Sequence, residues 1–168
     1  MPLVLSGAGT IAGINATNGL SSPQSNTVLQ VVQTTITTDF NTSSGTFTHA
    51  TNHSLSITTR ATNSRILLIC NTPLQIANPC RGQATFRSSI DSYTANIGLI
   101  TAAKYPDAQS GWVTLPHLHY LHSPAQSSGT AITYRVYVRR TGGSDGIYYT
   151  DSWGDGIEYS FIAMELAP

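Results

Sequence analysis

The sequence predicts an all-β protein: an antiparallel β-sandwich with a jelly-roll-like plan, preceded by an extended N-terminal arm. Three observations carry this. Ala131 to Arg140 alternates apolar and polar residues, and Tyr159 to Leu166 does so again; a period of two is the signature of half-buried antiparallel strands. Short runs rich in Val, Thr and Ile recur between clusters of turn-forming residues. No segment shows a 3.6-residue apolar period with helix caps. Many short strands separated by regular turns build a sandwich or barrel rather than an α/β fold.

Taken in order, residues 1–27 are small, turn-rich and weakly apolar, as in Ser6-Gly7-Ala8-Gly9-Thr10 and Asn18-Gly19-Leu20-Ser21-Ser22-Pro23. They cannot form a core of their own. Leu3, Val4, Leu5, Ile11, Ile14 and Leu20 nonetheless give this arm something to lay against a neighbour. Residues 28–168 form the sandwich domain. Val28 to Thr37 is a Val- and Thr-rich strand, and Thr46-Phe47-Thr48 and Leu55-Ser56-Ile57-Thr58 are short ones. Ile66-Leu67-Leu68-Ile69 is a continuous apolar run, which predicts a central strand covered on both faces. Ala84 to Ser88, Ala95 to Ile100 and Gly111 to Tyr120 are further strands. Ile132, Tyr134, Val136 and Val138 share one face of the next, and Ile162, Met164 and Leu166 share one face of the last. Turns fall at 41–45, 61–64, 105–107, 123–125 and 142–146, each rich in Asn, Ser, Pro or Gly.

Composition narrows the function. Charged residues make up 10% of the chain, against about 25% in an ordinary domain. Hydroxyls and amides must therefore supply the polar surface. The formal net charge is zero, which argues against electrostatic capture of nucleic acid or anionic membrane. Weak self-repulsion also permits close association of copies. No apolar run is long enough to span a bilayer as a helix, and the N-terminus lacks the basic region of a secretory signal. Cys70 and Cys80 flank a loop with two prolines; a disulfide and a pair of reduced core thiols are both compatible with that spacing.

With the strands placed, a family resemblance follows. Leu55-Ser56-Ile57-Thr58, Ser64-Arg65-Ile66-Leu67-Leu68, Ser123-Pro124-Ala125, Tyr134-Arg135-Val136 and Phe161-Ile162-Ala163-Met164-Glu165-Leu166 resemble a β module of tailed bacteriophages. That module stands at the ends of tail-fibre proteins, notably in phages of cyanobacteria and other aquatic bacteria, and in small separate virion proteins. Leu3 to Ile11 is similar to the start of short phage tail or fibre proteins. The resemblance covers most of residues 28–168. It implies a non-enzymatic component of the virion without a cofactor, working through assembly and surface contact.

Four groups of residues are weighed as sites. His117 and His119 are two apart on an expected strand, so both imidazoles point one way and could share a metal. Three copies about an axis would supply six nitrogens, as His-x-His pairs do in trimeric fibre tips of other phage families; plain surface histidines are the alternative. Tyr148, Tyr149 and Trp153, with Tyr159, gather aromatic surface between polar loops, which suits either contact with sugars and proteins or ordinary packing. Gly142-Gly143-Ser144-Asp145-Gly146 matches the spacing of a hydrolase nucleophile elbow, but a strand rather than a helix follows it. A hairpin turn explains its glycines. Arg135 and Arg139 lie on one strand face, where pairing with Glu158 or Glu165 would account for them.

The reading is thus a short tail-fibre or receptor-contacting module that assembles with itself as a homotrimer. Residues 1–27 would attach it to other virion proteins, either the tail or the major capsid protein, and its surface would meet a host glycan. A capsid cement or decoration protein on the head is the alternative within this class. A carbohydrate-binding module is the alternative outside it.

Overall fold

Local sequence sets each strand before any packing is considered: β-branched and aromatic residues alternate with hydroxyls, and Asn, Gly and Pro break the runs. The structure is a computed structural model that describes residues 25–38, 40–71, 74–76, 81–103, 113–115, 117–142, 147–149 and 159–168. In chain order the strands are β1 (Val28–Ile36), β2 (Phe40–Thr42), β3 (Thr48–Thr58), β4 (Arg65–Cys70), β5 (Leu74–Ile76), β6 (Arg81–Ser88), β7 (Ile97–Ala103), β8 (Val113–Leu115), β9 (Leu118–His122), β10 (Ala131–Gly142), β11 (Ile147–Tyr149) and β12 (Tyr159–Leu166). A single 3-10 turn, Ser89–Asp91, follows β6.

The eight longer strands form two four-stranded antiparallel sheets, ordered β1-β12-β4-β9 and β3-β10-β6-β7. The pairing has a simple rule. Among these eight, the first strand pairs with the last, the second with the seventh, the third with the sixth and the fourth with the fifth. A long folded ribbon wrapped in this way is a jelly roll, so the expected sandwich is the observed one. The four short strands form a third sheet, ordered β2-β11-β5-β8. Each lies in a connection that crosses from one large sheet to the other.

Several boundaries differ from the sequence expectation. Residues 46–58 hold one long strand, β3, instead of two short ones. It absorbs an irregular segment: the register against β10 shifts between Arg135 and Tyr137, and Asn52 sits at φ 67, a left-handed geometry that Asn tolerates better than most residues. The expected strand Gly111 to Tyr120 is two, β8 in the small sheet and β9 at the edge of a large one. The loop between the cysteines contains β5. Cys70 is buried in the core, and Cys80 lies outside the described residues.

The core lies between the two large sheets. From β10 come Ile132, Tyr134, Val136 and Val138, and from β12 Phe161 and Ala163, all fully buried. Phe86 of β6 stacks on Phe161 across the layers, with centroids 5.4 Å apart and planes 15° apart. Burying each ring stabilises the fold by roughly 2–3 kcal/mol. On β12, Ile162, Met164 and Leu166 share a face as expected, and it is the outer one; Phe161, Ala163 and Glu165 point inward. Likewise Ile66, Leu68 and Cys70 of β4 face the core, while Leu67 and Ile69 are half-buried on the outside.

Two devices close the sandwich. Gly98 of β7 has φ +63, and a Cβ there would meet the Tyr120 ring of β9 at 2.7 Å; only glycine lets these strands approach across the open side. At the other side Glu165 is fully buried. Its carboxylate accepts hydrogen bonds from the amides of Arg60 (2.8 Å) and Ala61 (3.2 Å) and from Gln30 Nε2 (2.5 Å). It thereby ties the β3–β4 turn to β1 and β12. Burial alone raises the carboxyl pKa, but the donors from Gln30 and the Arg60 and Ala61 amides outweigh it and hold the group below its ordinary 4.5. His53 is also buried, and burial lowers its pKa from 6.5 despite a bond to the Thr51 carbonyl.

These features set stability expectations. Phe161→Ala removes half of the inter-sheet stack and lowers unfolding free energy by about 3–5 kcal/mol in urea titration. Both titrating groups have depressed folded pKa values, so both stabilise at high pH and lose that contribution on acidification. The thermal midpoint therefore falls in two stages, as pH drops below 6.5 for His53, together with His49 and His122, whose pKa values burial also lowers, and then below 4.5 for Glu165. Glu165→Gln abolishes the second stage and costs about 1–3 kcal/mol at neutral pH; calorimetry across pH checks both.

Candidate functional site

Alternation along the strands places two chemically different surfaces on the outsides of the sandwich. The outer face of β1-β12-β4-β9 is apolar. Strand register aligns Val31, Met164, Leu67 and Leu121 in one row across all four strands. The next row is Gln33, Ile162, Ile69 and His119. Val31 is 54% exposed and Leu121 41%, while the aliphatic side chains between them are half-buried by their own neighbours. Arg65, at one end, is the only charged residue these four strands turn outward. A continuous apolar face of this kind marks an interaction surface rather than chance exposure.

The outer face of β3-β10-β6-β7 is cationic and aromatic. Arg135 of β10 stands directly opposite Arg87 of β6. Like charges in that position repel, and among the described residues no carboxylate meets them. Aromatic rings do. The Arg135 guanidinium lies over Tyr93 at 4.0 Å, Arg87 over Tyr137 at 4.7 Å, and Arg139 over Phe47 at 4.6 Å. Arg87 also reaches Phe47 at 5.0 Å. Further bonds fix the orientations: Arg87 Nε donates to Asn96 Oδ1 (3.0 Å), an Arg87 terminal nitrogen to the Tyr93 carbonyl (2.9 Å), and Arg139 Nε to Gln83 Oε1 (2.8 Å). Tyr93 itself sits at φ 63, a conformation a bulky residue adopts only under constraint.

The expected pairing of Arg135 and Arg139 with Glu165 is thus corrected, while Glu158, the other expected partner, lies outside the described residues. Glu165 lies inside the sandwich, bound to Gln30 and the Arg60 and Ala61 amides. Sequence spacing gave Arg135 and Arg139 a common face but could not supply Arg87, Tyr93 and Phe47, which arrive from β6, the turn after it and the approach to β3. The alternation in Tyr134-Arg135-Val136-Tyr137-Val138-Arg139 was the available signal.

The other sequence candidates are dispersed. His117 is exposed just ahead of β9, and His119 is exposed on β9 at the rim of the apolar face. No cluster of three or more His, Cys, Asp or Glu able to hold a metal occurs among the described residues. Tyr148 and Tyr149 belong to β11, an inner strand of the small sheet. Trp153 and Ser144 lie outside the described residues.

His122, three residues after His119 on β9, points inward. Its Nδ1 is 2.9 Å from the hydroxyl of the buried Tyr134, and the two rings meet edge to face. Burial pushes the Tyr134 phenol far above its ordinary value. Burial lowers the His122 pKa, partly offset by Asp91. His122 borders a cavity of about 150 Å³ whose lining includes Ser88, Asp91, Ile97 and Pro124. The imidazole is oriented by a phenol rather than a carboxylate, so this is not the geometry of a catalytic triad. It is a polar pin between β9 and β10.

Comparison with known proteins adds little. No family model matches the chain, and no curated protein matches it in sequence. Among solved structures it is similar to the infectious bursal disease virus VP2 subviral particle, with a TM-score of 0.35 and 10% identity over 87% of this chain. The chain spans 39% of the VP2 chain. A likeness this slight carries no argument about fold or function, which rest on the geometry above.

The arginine–aromatic face has a stability signature. A stacked guanidinium contributes about 0.5–1 kcal/mol at an exposed site, and removing one of two opposed cations relieves repulsion of similar size. Arg135→Gln is therefore expected to change unfolding free energy by less than about 0.5 kcal/mol in urea titration.

Proposed function

We propose that this chain is a non-enzymatic structural protein of a virus particle, which associates with copies of itself through the outer face of β1-β12-β4-β9. The observation that carries the reading is that face. Leu67 and Ile69 belong to a run that the sequence marks for burial on both sides, yet one chain covers only one side. A second copy presenting the same rows is the chemically matched cover, and zero net charge opposes it little. The jelly roll is compatible with this role, since capsid and lectin domains both use it, although fold alone does not assign function.

The finer reading rests on the resemblance to tailed-phage β modules. It makes the protein a short tail-fibre or receptor-contacting module, assembled as a homotrimer and attached through residues 1–27. The chain enters β1 at the edge of the apolar sheet: the Asn26 amide donates to the Ala167 carbonyl, and the Ala167 amide to that of Thr27. Residues 26 and 27 therefore lie beside the end of β12, at the edge of the sheet assigned to association. A cement protein on the head is the competing position, and copy number per particle separates the two, hundreds for the head and a few dozen or fewer for the tail.

Leu67→Glu tests self-association, because a carboxylate in the middle of the apolar row cannot be desolvated without large cost. Light scattering after size exclusion is expected to show an oligomer for the wild type and a monomer for the variant, with thermal midpoints within a few degrees. A wild-type chain that stays monomeric at high micromolar concentration overturns the assembly reading.

A further inference from the structure

Independently of any place in a particle, we infer that the outer face of β3-β10-β6-β7 is a binding site for an acidic polysaccharide, one carrying carboxylate or sulfate groups. The first argument is the juxtaposition of Arg87 and Arg135. They are directly opposed across β6 and β10, with Arg139 two alternations further along the same strand. The two described carboxylates are engaged elsewhere, Asp91 with the Ala95 amide and Glu165 inside the sandwich. A fold that needed these positions only for packing would avoid opposed cations. A ligand anion converts the repulsion into attraction.

The second argument is preorganisation. Each guanidinium is held over a ring, and two of the three are further fixed through Nε. Stacking engages the flat face of a guanidinium and leaves its edge, where the N–H donors lie, for a planar or tetrahedral oxyanion. Tyr93, which carries Arg135, is held at φ 63, and local strain of this kind concentrates where a ligand is clamped.

The third argument selects a sugar over a peptide. Protein partners are anchored by apolar and aromatic side chains filling pockets. Here the Phe47, Tyr93 and Tyr137 rings are already capped by guanidiniums. What surrounds them is hydroxyl and amide: Ser54, Ser56, Thr133, Gln83 and Asn96. Alternate residues of a strand are about 6.6 Å apart, so Arg135 and Arg139 are separated by about 13 Å along β10. The face thus presents hydroxyls and amides with charge at intervals, suited to an extended chain of hydroxyls bearing occasional anions.

The test is binding of the purified full chain to polygalacturonate, dextran sulfate, neutral dextran and poly-L-glutamate by calorimetry at low and moderate salt. The expected result is binding to polygalacturonate, to dextran sulfate or to both, weakening at least tenfold as salt rises, with none to neutral dextran. Which of the two binds tells carboxylate from sulfate recognition. Combined Arg87→Gln, Arg135→Gln and Arg139→Gln substitution is expected to weaken binding at least 30-fold while circular dichroism and thermal midpoint are retained. Arg135→Lys alone weakens it several-fold, because a lysine keeps the charge without the planar donor edge. Arg60→Gln, in the β3–β4 turn where its guanidinium donates to the Leu29 carbonyl of β1, leaves binding unchanged. The inference is overturned by no binding to either acidic polysaccharide, by equal loss with Arg60→Gln, or by binding to poly-L-glutamate alone, which would mark an acidic protein partner instead.

Discussion

Everything outward-facing in this protein depends on the contact between the inner faces of the two large sheets. Phe86 against Phe161, with Tyr134, Val136 and Ile66 around them, fixes which residues of each strand point inward. A strand has only two sides, so fixing one set fixes the other. A register slip by a single residue would drive Arg135 and Arg139 into the core and bring Ile132 and Val136 to the surface. The core therefore selects the surface chemistry as well as the fold.

The two surfaces so produced are unlike each other. One is a field of aliphatic side chains across four strands, and the other a set of guanidiniums laid over aromatic rings. Each would be a liability in an isolated chain, the first through apolar exposure and the second through opposed cations. On opposite outer faces of one sandwich they divide the labour. One side offers burial, which is strong but indiscriminate. The other offers directed charge-assisted hydrogen bonds, which are weaker in water but chemically selective. A component that joins its own kind on one side and meets a charged, hydrated surface on the other requires this separation.

The buried polar groups serve a different end. Glu165, His53 and the His122–Tyr134 pair sit where strands turn or where the sandwich closes. Glu165 gathers donors from β1 and from the turn that leads into β4, and a hydrocarbon in its place would leave the Arg60 and Ala61 amides without acceptors. These contacts fix the relative placement of elements that apolar packing alone would leave free to slide.

Strand content, the antiparallel sandwich plan and the start of β1 at Val28 were determined by local pattern, because a period of two and Gly-, Asn- and Pro-rich turns are properties of neighbouring residues. So was the shared face of Arg135 and Arg139. The sequence did not determine which face of β12 is the core face, since Phe161-Ile162-Ala163-Met164-Glu165-Leu166 has apolar residues in both phases and a glutamate in the buried one. It did not merge Thr46 to Thr58 into one strand, because the irregular segment around Asn52 interrupts the alternation. It could not bring Phe47, Arg87 and Tyr93 to Arg135, because those residues meet only through the pairing of β10 with β3 and β6. Tertiary structure decided these points for one physical reason: strand pairing joins residues far apart in the chain, and their contacts depend on a register that no local window contains.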